Sequence, residues 1–166
     1  MDAGKRTIND LFNGNRILEI PFFQRSYVWG ETQWERLLED MESVSSTNKP
    51  YFLGSLILKQ QLTPTGNESG DRRMIIDGQQ RLTTLNIFFK VLCLLQDKAE
   101  LFNRIFRLIN SDDIALLHNH NDIESFNKVL SLDKLDDLDN KDSIIEAYLY
   151  FKNNINPDKL NIQNIL

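Results

Sequence analysis

The stretch Asp77-Gly78-Gln79-Gln80-Arg81-Leu82-Thr83-Thr84-Leu85 constrains the fold most. Within a turn's length the apolar run Met74-Ile75-Ile76 gives way there to a long apolar-periodic segment. A strand feeding directly into a helix is expected. Asp77 is expected to act as the helix N-cap, with Gln80 three residues later reaching back as a capping box and Gly78 taking the tight first turn. The first-turn N–H groups lack intrahelical partners and carry the positive end of the helix dipole, and Arg81 adds a formal charge, so the stretch suits a phosphate. A plainer role also fits, in which Asp77 only caps a helix, Gln79 and Gln80 are solvated, and Arg81 pairs with a surface carboxylate. Spacing alone does not separate the two.

A second unusual segment lies upstream. Thr7 caps a short predicted helix ending near Gly14, and Arg16 to Ile20 reads as a strand ended by Pro21. Ile20-Pro21-Phe22-Phe23-Gln24-Arg25-Ser26-Tyr27-Val28-Trp29 then packs four aromatics and a Gln-Arg pair into ten residues. Such rings wall a pocket while Gln24 and Arg25 orient a ligand, or else they serve as core and lid packing.

Residues 31–46 place Trp34, Leu37, Leu38, Met41 and Val44 at helical spacing, which predicts an amphipathic helix broken by Asn48-Lys49-Pro50. Asp40 flanks that face as a solvated carboxylate. Residues 51–59 have the apolar and aromatic density of a central strand, with Gly54 allowing a close backbone approach or a bulge. Residues 62–72 read as an exposed loop, and Arg73 to Ile76 as the returning arm of a hairpin. Beyond Leu95 three helices are expected, at 100–109, 122–132 and 143–154, with an acidic solvated linker at 133–142. The final residues, 161–166, carry Ile162, Ile165 and Leu166 without a stop signal, so the natural chain is expected to continue. The organisation expected is therefore a core at 1–96 and an α-helical annex at 97–166. The class is α+β, with a small mixed sheet on which the Trp34 and Thr83 helices pack.

Charge narrows the partners. Residues 1–96 hold 11 Lys and Arg against 11 Asp and Glu, and residues 97–166 hold 8 against 13, so the whole net charge of −5 is C-terminal. Bulk attraction to nucleic acid is excluded; DNA contact requires a local patch such as Arg25, Arg72, Arg73 and Arg81. No 18-residue apolar run and no signal-peptide h-region occur, so a cytoplasmic protein is expected. Cys93, the only cysteine, sits among Val91, Leu92, Leu94 and Leu95 and reads as a buried small hydrophobe. His118-Asn119-His120 is a weak metal signal and reads as a surface loop. P-loop, α/β-hydrolase and zincin motifs are missing from the sequence.

Three motifs in order, Ile20-Pro21-x-Phe23-Gln24-Arg25-x-Tyr27-x-Trp29 with Gln33-Trp34, then Tyr51-Phe52-Leu53-Gly54-Ser55, then Asp77 to Leu85, carry a family resemblance. The sequence resembles the N-terminal GmrS-like domain of the GmrSD family of modification-dependent restriction proteins, related in fold to ParB and sulfiredoxin. The likeness is strong over residues 7–95 and looser beyond, through Asp122, Phe126 and Ala147-Tyr148-x-x-Phe151. It implies a domain that binds and hydrolyses a nucleoside triphosphate (GTP, ATP or CTP) with Mg²⁺. That activity would be coupled to a C-terminal HNH-type nuclease domain, outside this sequence, that cuts modified foreign DNA. A homodimer is among the implied partners. By motif position, Gly78, Gln79 and Thr83 would contact phosphate, Arg81 would stabilise charge, and Gln80 would join Asp77 and Arg81 in catalysis. Asp77 would hold the metal or orient a water, with Gln24 and Arg25 contributing from the facing loop. Phosphoryl transfer needs mostly positioning and charge neutralisation, which such groups supply. The alternative is a nucleotide-gated DNA-binding switch of ParB type with little or no hydrolysis. A nuclease centre within the domain is disfavoured, since residues 7–95 show no carboxylate cluster for two metals. Sulfiredoxin chemistry would need a cysteine in the phosphate loop, whereas Cys93 lies about three turns into the helix.

Overall fold

The computed structural model describes residues 4–12, 16–49, 51–60, 71–108 and 113–166. The expected stop at Gly14, the break at Pro50 and most of the loop before Asp71 lie outside the described residues, as does Ile109; the helix predicted to reach it ends earlier, at Phe106, because Arg107 is extended and bridges to Ile114. The class is α+β, with a four-stranded mixed sheet.

Helix α1 (Ile8–Phe12) is opened by Thr7, whose Oγ1 accepts from the Asp10 N–H while the Asp10 carboxylate accepts from the Thr7 N–H. Strand β1 (Arg16–Glu19) runs parallel to β3 (Asp71–Asp77) and to β4 (Leu116–Leu117), and β2 (Ile57–Gln60) closes the other side antiparallel to β3. The order is β2-β3-β1-β4. Strand β3 begins two residues before the predicted Arg73 because its first residues are held by cross-strand ion pairs. Arg16 and Asp71 are register partners joined at 3.3 Å, and Arg72 reaches Glu19 at 3.4 Å.

Residues 51–59 do not form a central strand. Only the edge strand β2 pairs, and Tyr51 and Phe52 stay exposed. The aromatic density that reads as two-sided burial instead lines a bend passing over the start of the next helix. The Tyr51 hydroxyl donates to Asp40 and ties this bend to α2 (Glu31–Thr47). Strand β4 was not expected from a region that reads as helices and polar breaks. Two residues are too short a run to carry a period-2 signal.

Helix α3 (Gln79–Leu95) is the hub. From Leu82 to Cys93 every side chain is buried, so it is enclosed all round and not packed on one face. It contacts α4 (Ala99–Phe106), α5 (Ile123–Leu130) and α6 (Ser143–Asn154); Phe88 meets Phe151 edge-on and Phe89 stacks with Phe106. Residues 97–166 thus supply both a sheet edge and helices of the same hydrophobic core as residues 4–96. Helix α6 spans the residues predicted for it and is capped by Asp142, which accepts from the Ile145 N–H. The terminal α7 (Ile162–Ile165) buries Ile162 and Ile165 against α2. Cys93 is buried as expected; desolvation pushes its thiol up to about 11, so it holds no reactive thiolate at neutral pH.

Candidate functional site

Because β1, β3 and β4 are parallel, their carboxyl ends fall on one edge of the sheet, where open sheets of this kind place their ligands. β1 leads into residues 20–30, β3 through Gly78 into α3, and β4 into residues 118–122. These three segments build the site.

A cleft of about 290 Å³ opens between the first two. Gln24, Arg25 and Trp29 face Ile76, Asp77, Gly78, Gln79, Gln80 and Arg81 across it. Two arginines against one aspartate give the cleft a positive excess in a chain of net charge −5. The other arginines of the expected basic patch are engaged in ion pairs, Arg72 with Glu19 and Arg73 with an Asp71 that it shares with Arg16. Of the sequence-predicted site residues, Gln24, Arg25, Asp77, Gly78, Gln79, Gln80 and Arg81 meet here. Thr83 does not. It is buried on the far side of the first turn, its Oγ1 2.9 Å from His118 Nε2.

The local geometry corrects the expected cap. Asp77 still belongs to the β3 ladder, opposite Ile57, so its backbone is extended and one residue too early. Gly78 is the N-cap residue, in the left-handed region at φ 107°, and no side chain caps the helix. A Cβ there would stand 2.6 Å from Leu56 Cδ1. Asp77 is exposed, and among the described residues its carboxylate has no hydrogen-bond or ion-pair partner.

Gln79 and Gln80 are neither solvated nor part of a capping box. Both are buried and fasten the facing loop: Gln79 Nε2 donates to the Arg25 carbonyl at 3.2 Å, while Gln80 accepts from the Val28 N–H at 2.9 Å and donates to the Ser26 carbonyl at 3.2 Å. Gln24 closes the rim by donating to the Ile76 carbonyl. The aromatics divide. Tyr27 is core, Trp29 lines the cleft, and Phe22 and Phe23 stand 81% and 63% exposed beside it.

Arg81 pairs with no carboxylate among the described residues; its Nη1 donates to the Ser55 carbonyl at 2.8 Å, and the guanidinium lies against Gly54. Gly54 is at φ 129°, and a Cβ on it would come within 2.5 Å of the Arg81 Cζ. Gly54→Ala is therefore expected to displace Arg81 from the cleft and to cost about 1–3 kcal/mol in backbone strain. Chemical denaturation measures the cost, and a fall in any Arg81-dependent ligand affinity reports the displacement.

Behind the loop lies a buried polar network that the sequence does not announce. The Tyr27 hydroxyl is 2.6 Å from Thr84 Oγ1 and accepts from Trp34 Nε1 at 2.7 Å, while the Tyr27 N–H donates to the Asp122 carboxylate at 2.8 Å. Asp122 is held in turn by the 118–122 turn, where Asn119 Oδ1 accepts from its N–H. His118, expected on the surface, is buried between Thr83 and the ring of Phe126. Its Nδ1 accepts from the Asn119 N–H, which leaves Nε2 to donate to Thr83. The signal that could have found these residues is the apolar spacing of Phe126, Val129 and Leu130, which turns Asp122 toward the core.

Desolvation holds the His118 imidazole down to about 4, against 6.5 in an unfolded chain. Between those values the unfolded chain binds more protons. His118 therefore favours the folded state fully above about pH 6.5 and loses that contribution, on the order of 3 kcal/mol, as the pH falls toward 4. Burial raises the Asp122 pKa and acts in the opposite sense, so the test compares variants. Denaturant midpoints at pH 7.5 and 4.5 should fall less in His118→Gln than in the wild type.

Residues 8–166 match the family model described as the GmrSD restriction endonuclease, N-terminal domain. The chain belongs to this family. The match runs through the helical half as well as the sheet, in keeping with their common core. A comparison with curated proteins finds no match. This GmrSD N-terminal domain is a restriction-system, or defence, domain. Among its described residues no helix is long and apolar enough to cross a membrane, and no group of three or more His, Cys, Asp or Glu side chains is placed to hold a metal. The cleft offers a cation one carboxylate, Asp77. That suits Mg²⁺, which is commonly held by one or two carboxylates together with substrate phosphates.

Proposed function

We propose that the cleft binds a nucleoside triphosphate with Mg²⁺ and hydrolyses it, making this GmrSD N-terminal domain the regulatory NTPase of a restriction protein whose HNH-type nuclease domain cuts modified DNA. The observation that carries the reading is the meeting, in one cleft, of the uncapped start of α3, Arg25, Arg81 and a carboxylate on Asp77 that has no partner among the described residues. The Gly78 turn and the first-turn N–H groups receive phosphate oxygens, and Arg25 adds charge from the loop. Arg81 stabilises the charge that develops on the transferred group. Asp77 would hold Mg²⁺, which supplies charge neutralisation when bound. Gln80 positions the loop, because both ends of its amide are engaged by residues 26–28. Thr83 acts from behind through His118 and does not reach the phosphates.

The scarcity of acid–base groups favours a second reading, a nucleotide-gated DNA-binding switch that turns over slowly or not at all. One titration decides. GTP, ATP and CTP are each titrated with Mg²⁺ into the chain, followed by measurement of phosphate release. Saturable binding with release supports the NTPase, binding without release supports the switch, and no binding of any of the three overturns both.

A further inference from the structure

Gln79 carries an atom that its loop-fastening role does not use. The residue is 9% exposed and lines the cleft; its Nε2 is engaged by the Arg25 carbonyl, and its Oε1 is buried with no hydrogen-bond partner among the described residues. The opposite amide orientation would set Oε1 against the Arg25 carbonyl oxygen, acceptor against acceptor, so the free atom is the oxygen. A buried amide oxygen without a donor costs on the order of 1–3 kcal/mol, and the cleft must supply that donor when it is filled. An ionised phosphate has none to give. Oε1 therefore cannot itself be the phosphate contact that the motif position of Gln79 implies, a contact left to the second Nε2–H or the backbone N–H.

We infer that Gln79 Oε1 accepts a hydrogen bond from the water that attacks the terminal phosphate, fixing that water at the start of α3 within reach of Arg81. The inference rests on the nucleotide reading above. In the step, the water oxygen forms a new bond to the γ-phosphorus, and the bond from that phosphorus to the β–γ bridging oxygen breaks with its electron pair left on the nucleoside diphosphate. Of the two water protons, one stays on the released phosphate and the other passes to solvent. Gln79 takes neither; it orients the nucleophile, the part a glutamine can play in phosphoryl transfer to water.

The test uses the whole chain, the nucleoside triphosphate it turns over, and Gln79→Leu and Gln79→Glu. Gln79→Leu also loses the bond to Arg25 and so should bind a non-hydrolysable analogue about tenfold more weakly, but it should release phosphate at saturating nucleotide about 100-fold more slowly and fail to trap the diphosphate with aluminium fluoride. Gln79→Glu keeps the acceptor oxygen and loses the donor to Arg25, and should retain about a tenth or more of wild-type turnover. Unchanged turnover in Gln79→Leu overturns the inference alone, as does an equal fall in binding and turnover, which would mark Gln79 as only a fastener of the loop. Should Gln79→Leu fail to fold, Gln79→Glu decides, and turnover as low as that of Arg81→Ala overturns the assignment. A wild-type chain that binds nucleotide and releases no phosphate overturns the hydrolytic reading and this inference together.

Discussion

Replacing Arg81 with alanine is expected to lower phosphate release about a thousandfold, with a much smaller effect on nucleotide affinity. Arg81 leaves the first turn of α3 and crosses to the 51–56 bend, where one Nη1–H is engaged by the Ser55 carbonyl and Gly54 leaves room for the guanidinium. The remaining N–H groups of this always-charged group stay available at the cleft, and no carboxylate among the described residues competes for them. Arg81→Lys should recover little, because an ammonium cannot hold Ser55 and spread over two phosphate oxygens in one plane. The folded state should tolerate either change at a cost within about 2 kcal/mol, since each removes a single hydrogen bond to a carbonyl. Steady-state phosphate release beside nucleotide binding measures the effect. Undiminished release in a folded Arg81→Ala variant would remove Arg81 from catalysis.

Trp34→Ala should produce the largest drop in stability. The indole is 1% exposed, packs near Tyr150 and donates its Nε1–H to the Tyr27 hydroxyl. Truncation of such a residue costs about 3–5 kcal/mol, which for a chain of this size lowers the melting temperature by roughly 10 °C or more. Trp34→Phe keeps most of the packing and removes only the donor. It should cost about 1–2 kcal/mol, since Tyr27 retains its partner Thr84. The two variants therefore separate the packing from the hydrogen bond. They also report on the site, because Tyr27 anchors the loop that carries Gln24 and Arg25. If calorimetry found Trp34→Ala within 1 kcal/mol of the wild type, as expected of a surface substitution, the buried network behind the cleft would not be the loop's anchor.

Long periodic elements were legible in the sequence because their signals are local. The apolar spacing of Trp34, Leu37, Leu38 and Met41 marks α2, the run from Leu82 onward marks α3, and the residues from Ser143 on mark α6. The Met74-Ile75-Ile76 run ending at Gly78 marks the strand-to-helix junction, and the order of the motifs brings seven site residues to one cleft. Gly54 reads correctly as a place of close approach, although the group that approaches it, Arg81, is not legible.

What went unread depends on partners far away in the chain. Gln80 has the spacing of a capping box, yet its amide is taken by Ser26 and Val28, more than 50 residues upstream. Its two bonds to the facing loop satisfy more buried groups than one bond back to the helix start would. His118 looks like a loop histidine until β4 pairs with β1 and carries it beneath Thr83. Asp122 becomes a support of the loop only because the Tyr27 N–H, 95 residues away, needs an acceptor. By itself, the sequence determined where the long helices α2, α3 and α6 run, and that a glycine turn joins a strand to the helix that carries the motif. The tertiary structure decided which polar atoms are engaged in holding the loop and which, on Asp77, Arg81 and Gln79, are left without a partner among the described residues, because a buried donor or acceptor takes whatever partner the packed chain brings within reach.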